Sequence, residues 1–159
     1  MNILYKLLSG SDVPLFKELL TVFGEAFEEH QTYQDAIPSD AYLTSLLEKN
    51  HFIALLALDE SNVVGGLAAY VLDKFEQERK EVYIYDLAVS RDHRRLGIAT
   101  GLINKLKTIA KEHGAYVIFV QADPEDIPAI RLYQSLGTKE DVHHFDIPVD
   151  DIRVQDRLK

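Results

Sequence analysis

The stretch Arg94-Arg95-Leu96-Gly97-Ile98-Ala99-Thr100 sets two guanidinium groups directly before a glycine and the start of an apolar-periodic segment. Basic residues in a first helical turn oppose the helix dipole, which favours negative charge at that end. An anion resolves the conflict. The first amides of a helix have no intrahelical partner, Gly97 leaves the backbone bare for close approach, and the arginines add charge. A diphosphate fits these terms. Just upstream, Asp86 interrupts the apolar and aromatic run "EVYIYDLAV", where a lone carboxylate is costly to bury without a purpose.

These groups need a frame. "NILYKLL" reads as a strand, and Leu15, Phe16, Leu19, Leu20, Phe23 and Phe27 recur at helical spacing after the cap candidates Ser11 and Asp12. A polar connection, "EEHQTYQDAIPSD", leads to a short helix that starts at Pro38-Ser39 and turns Tyr42, Leu43, Leu46 and Leu47 inward. "HFIALLAL" and "VVGGLAAYVL" form a hairpin around "DESN", and "EVYIYDLAV" is the next strand. The helix after Gly97 carries Ile98, Leu102, Ile103, Leu106, Ile109 and Ala110 on one face and stops at Gly114. "AYVIFVQA" is a strand; Asp126 and Pro128 open a helix that ends before Gly137; "HHFDIPV" reads as a closing strand. The expected order is β-α-α-β-β-β-α-β-α-β, an α/β (or α+β) domain with a mixed sheet over residues 1–149, followed by a polar tail at 150–159.

Composition narrows the function. The 159 residues carry 17 Lys and Arg against 26 Asp and Glu, a formal net charge of −9, which argues against nucleic acid and anionic membrane surfaces and suits a cationic partner. There is no cysteine, so neither a disulfide framework nor a thiolate zinc site is available. No apolar run approaches bilayer length and no signal peptide is evident, so a cytoplasmic location is expected. His143-His144 lacks partner ligands, and His30, His51, His93 and His113 sit at element ends, so no metal is expected. Without a Gly-x-Ser-x-Gly elbow or a cysteine nucleophile, a covalent acyl-enzyme is disfavoured.

The strand ending Leu87-Ala88-Val89, the Arg-x-x-Gly-x-Ala turn at 94–99, the periodic helix and the later "AIRLYQSLG" together resemble the GNAT superfamily of N-acetyltransferases. The resemblance implies a largely antiparallel sheet flanked by about four helices, and acetyl-coenzyme A as cosubstrate. It places the pyrophosphate on Arg94, Arg95, Leu96, Gly97, Ile98, Ala99 and Thr100, and the pantetheine arm along Leu87, Ala88 and Val89. It puts the Tyr133 hydroxyl near the thioester sulfur, as acid for the departing thiolate. The chain departs from many members at "ADPEDIP", where Asp126 replaces the usual Asn and is expected to cap the helix rather than touch the coenzyme.

Further stretches, "KFEQER", "EVYIYDLAV", "HRRLGIAT", "GAYVIFVQAD" and "VHHFDI" among them, look like the gentamicin-type aminoglycoside 3-N-acetyltransferases over roughly residues 20–147. That likeness implies a polyamine antibiotic as acceptor, direct attack in a ternary complex, and a homodimer. A polycation needs carboxylates, and its attacking amine must lose a proton. Asp86 is the first candidate for the base. Strand alternation, however, puts Glu81, Tyr83, Tyr85 and Leu87 on one face and Val82, Ile84, Asp86 and Ala88 on the other. Asp86 and Tyr83 therefore share a site only if the strand bulges or splays; otherwise Glu81 or Tyr83, acting through water, is the better candidate. An amide near Leu87 is the expected oxyanion donor. Asp146 is expected to grip substrate ammonium groups. Glu28, Glu29 and Asp35, with Glu25 and Asp40, set a negative field, and Tyr33 stacks on a sugar ring. Two other readings fit the same residues: transfer to another amine, such as a polyamine, amino acid or protein N-terminus, and a non-catalytic acyl-coenzyme A-binding module.

Overall fold

The computed structural model describes residues 2–149, in two compact units that divide between Gln121 and Ala122. The first unit is a five-stranded sheet in the order β1 (Ile3–Leu7), β2 (Phe52–Asp59), β3 (Asn62–Asp73), β4 (Lys80–Val89), β5 (Ala115–Val120). The first three pairings are antiparallel and β4–β5 is parallel. Both faces of β2 are buried, which is why "FIALLAL" is continuously apolar rather than alternating.

Helices α1 (Val13–Phe27) and α2 (Asp40–Leu47) cover one face, where Phe16, Leu19, Phe23, Leu43 and Leu47 join Phe52, Ala54, Leu56 and Leu58 in one core. The intervening β2 residues point to the other face, covered by α3 (Ile98–Glu112). There Tyr5, paired with Ala57, reaches Gly101 of α3. The six α3 residues expected inward are the buried ones, and Gly114 ends the helix at φ +79°. Ser39 caps α2 by accepting from the Tyr42 amide at 3.2 Å. Tyr42, expected inward, is instead 61% exposed. Gly66 lets α1 approach the sheet: a Cβ there would lie 2.6 Å from Leu19 Cδ1.

The second unit holds α4 (Ile127–Leu136), which Asp126 caps through the Ala129 amide at 3.1 Å. Among the described residues no strand follows it. The strand expected at "HHFDIPV" is absent, and the order closes on a helix. Alternation makes a strand only where a ladder partner pairs with it, and none pairs with residues 143–149 among those described. The polar tail expected at 150–159 lies outside the described residues.

Candidate active site

Two irregularities in β4 build the site. On one side, pairing with β3 runs to Val89, but its register slips: Ala69 faces Ile84 while Ala68 faces Asp86, leaving Tyr85 as an extra, bulged residue. On the other side, pairing with β5 ends at Ile84–Val120, so among the described residues Tyr85–Val89 has no strand partner there. The bulge settles the alternation problem. Tyr83 lies opposite Tyr70, and Asp86 opposite Ala68, with both partners on the α1/α2 face; Val82 and Ile84 are buried and stand outside that core. One additional residue thus brings Tyr83 and Asp86 to a common face.

Asp86 lines a cavity of about 200 Å³ beneath α1 and α2, walled by aromatic and aliphatic side chains. Tyr33 donates its phenolic proton to Asp86 Oδ2 at 3.0 Å. A single π-helical turn, Gln31–Asp35, delivers Tyr33, whose ring packs on Phe23 and Phe27 at centroid separations of 5.8 and 5.7 Å. Tyr33 therefore contacts a carboxylate, where sequence reasoning expected it to stack on a sugar. Burial raises the Asp86 carboxyl above the usual carboxylate range; the Tyr33 hydrogen bond pulls it down, and the like charge of Glu29 pushes it up. The Tyr33 phenol is raised in turn, by burial first and then by the charge of Asp86.

The other candidate bases stand differently. Glu81 accepts from the Tyr116 hydroxyl at 2.5 Å and lies 3.5 Å from the Lys74 ammonium, so its charge is already engaged. Tyr83 stacks on Phe119 at 4.9 Å and donates to Gln121 Oε1 at 3.1 Å, with its phenol raised mainly by burial. In the second unit, burial first and the charge of Asp126 second push the Tyr133 phenol up to about 12. Asp146, also there, is paired with His144 at 3.0 Å.

The turn after β4 fits an anion. Gly97 sits at φ +79°, and the space where a Cβ would project is open to at least 4 Å. Arg95 holds φ +62°, a left-handed conformation that costs a non-glycine residue on the order of 1–2 kcal/mol. Left-handed residues in such a turn aim successive amides into one concavity. No side chain caps α3, so the amides of Ile98, Ala99 and Thr100 stay available. Leu96 is exposed and Ile98 is buried in the core. Arg94 folds back, its Nε donating to the Val89 carbonyl at 3.2 Å. Beside it a polar cavity of about 440 Å³ sets Glu25 and Glu28, at the end of α1, against Ser90, Arg91 and Arg94. Glu28, the C-cap of α1, adopts φ +58°. Asp35 ends the π-helical turn. Among the described residues no group of three His, Asp or Glu could hold a metal, and no helix is long and apolar enough to cross a membrane.

Sequence reasoning missed Tyr70 and Tyr85, which meet edge to face at 6.1 Å and wall the cavity beside Asp86, and Arg91 and Ser90 in the polar cavity. The aromatic spacing Tyr83-x-Tyr85 was visible. The bulge that turns Asp86 to the face of these rings depends on the partner strand and was not.

A fold of this topology, with a bulged and splayed fourth strand and a bare helix N-terminus after it, is an acyltransferase scaffold, and residues 15–138 match the Acetyltransferase (GNAT) family. The chain belongs to that family. Among solved structures it is similar to aminoglycoside acetyltransferase HMB0005 from an uncultured soil metagenomic sample: 57% identity over 94% of this chain and 100% of that one, with a TM-score of 0.93. Aminoglycoside acetyltransferase meta-AAC0020, also from a soil metagenome and crystallised with sisomicin, is 35% identical over 93% of this chain and 97% of that one, with a TM-score of 0.86. Among curated proteins, human N-acetyltransferase 8 is 31% identical over 85 residues, 54% of this chain; the match spans only 37% of that relative's length.

Proposed function

We propose that the chain transfers an acetyl group from acetyl-coenzyme A to an amine of an aminoglycoside, the 3-amino group, by direct attack within a ternary complex. The observation that carries this reading is Asp86: a carboxylate raised by burial, placed by a one-residue bulge where β4 leaves β5 and becomes open along its backbone. The likeness to two aminoglycoside acetyltransferases over nearly their whole length supports the acceptor class.

The residues at the turn fit the coenzyme's charge. Arg94, Arg95 and the amides from Leu96 to Thr100 would hold the diphosphate, and the free edge at Leu87, Ala88 and Val89 would pair with the pantetheine amides. Bound there, acetyl-coenzyme A supplies the activated acyl group. Asp86 takes the proton that the attacking nitrogen loses, and its raised basicity favours that task. An amide near Leu87 donates to the carbonyl oxygen as negative charge develops. Tyr133 gives a proton to the departing sulfur; its phenol, raised to about 12, carries that proton at neutral pH. Glu28, Glu29, Asp35 and Asp146 attract the remaining ammonium groups. We further propose that the enzyme works as a homodimer.

Thiol release measured across a panel of aminoglycosides and spermidine, with the acetylated nitrogen located in the product, tests this. Turnover on spermidine alone, or acetylation at another nitrogen, would overturn the acceptor or the position.

A further inference from the structure

The cavity beside Asp86 has a chemistry that a sugar ring does not match. Its walls include the rings of Tyr33, Tyr42, Tyr70, Tyr85, Phe16 and Phe52, and Asp86 supplies the carboxylate. At about 200 Å³ it falls below the roughly 300–1,000 Å³ typical of pockets that enclose a whole drug-sized ligand, so it admits one end of an acceptor. Hydroxyl groups pressed against Phe16 and Phe52 would lose water without finding partners. A nitrogen bearing alkyl groups has the opposite requirements. Its positive charge is spread over carbon-bound hydrogens, it is weakly hydrated, and it is attracted to the faces of aromatic rings. The ring positions are fixed: Tyr70 is held 5.2 Å from Phe52 and meets Tyr85 edge to face.

We infer that this cavity recognises an alkylammonium end of the acceptor, with Asp86 as counter-ion and the rings of Tyr70, Tyr85 and Tyr33 as its walls. The inference rests on reading the Asp86 face as the amine site, and it adds what surrounds the entering amine: alkyl and methylene carbon in preference to hydroxyls. Tyr85, 63% exposed and bulged out of the ladder, stands at the mouth, where its ring can be removed without opening the core.

Choline and its neutral carbon isostere 3,3-dimethylbutanol separate charge from shape, and choline's quaternary nitrogen cannot be acetylated. The free protein, with ring-13C tyrosine, is titrated with each at matched ionic strength. Choline should shift the Tyr70 and Tyr85 ring signals saturably, while the neutral isostere binds at least tenfold more weakly. Asp86→Asn should weaken choline at least tenfold and Tyr85→Leu at least threefold. Equal response to both probes, or unchanged choline affinity in Asp86→Asn, would overturn the assignment. A competition assay keeps the two readings apart. Choline that binds the rings and raises the KM for an aminoglycoside supports both. Choline that binds but leaves that KM unchanged removes the cavity as the acceptor site and overturns the inference. Aminoglycoside acetylation without choline binding overturns the inference and leaves the proposed reaction standing.

Discussion

Tyr33 and Asp86, 53 positions apart in the chain, meet through a 3.0 Å hydrogen bond, and through it the loop between α1 and α2 reaches the candidate base. The phenol holds one carboxylate oxygen and stabilises the charged form, while the charge of Glu29 opposes that form. The two residues thus act on Asp86 with opposite sign, and Tyr70, Tyr83, Tyr85 and Tyr42 complete the titratable groups around them.

Opposite displacements of the pH profile follow. A base works above its own pKa, so the acidic limb of kcat/KM reports Asp86. Tyr33→Phe keeps the ring packing on Phe23 and Phe27 but removes the bond favouring the carboxylate, so the limb moves to higher pH. Glu29→Gln removes a like charge, so the limb moves to lower pH. Below the limb Tyr33→Phe should lose severalfold more activity than on the plateau. Displacement of both variants in the same direction would break the argument.

Asp86→Asn keeps shape and removes the proton acceptor. Turnover should fall at least tenfold, and by up to the roughly 10²–10⁴ that a general base contributes, while coenzyme affinity measured by calorimetry stays within twofold. An unchanged rate would remove Asp86 from the reaction.

How much of this was visible in the sequence divides along a physical line. The inward faces of α3, the Ser39 and Asp126 caps and the Gly114 stop are local matters of periodicity and hydrogen bonding within a few residues, and they stand where expected. The Arg94–Gly97 turn was legible for the same reason. The face on which Asp86 stands was not, because a bulge is a property of two strands, and β3 decides it. Tyr33 was visible as a loop aromatic, but its partner lies 53 residues away. The expected strand at 143–149 shows the converse error: an alternating pattern was read as pairing.

Gly97→Val puts a branched side chain into the open space over the α3 amides and forces it to φ +79°. Coenzyme affinity should drop at least tenfold, more than the strain of on the order of 1–2 kcal/mol would explain through unfolding. Unaltered affinity would sink the phosphate-cradle assignment.

Asp12 tests the entry to α1. Its carboxylate accepts from Ser9 N at 2.9 Å and pairs with Lys6 at 2.9 Å, and its pKa is lowered, chiefly by Lys6. A depressed carboxylate stabilises the fold above its ordinary pKa, and that contribution is lost as pH falls through the lowered value. Asp12→Asn removes the ion pair with Lys6 and should cost up to about 1 kcal/mol at neutral pH, lowering Tm by at most roughly 2–4 °C, with the gap to the parent closing in strong acid. A gap that persists there would assign the loss to packing.

The slip at Tyr85 means that the chemistry of position 86 depends on counting. In an uninterrupted ladder the same aspartate would face α3, and no exchange of side chains at 86 could turn it round. Inserting or deleting one residue at this point of the fourth strand would move the carboxylate to the other face and change the phase of every residue from Leu87 onward. Variation in codon number within the fourth strand, more than variation in residue type, should therefore mark where acceptor chemistry diverges.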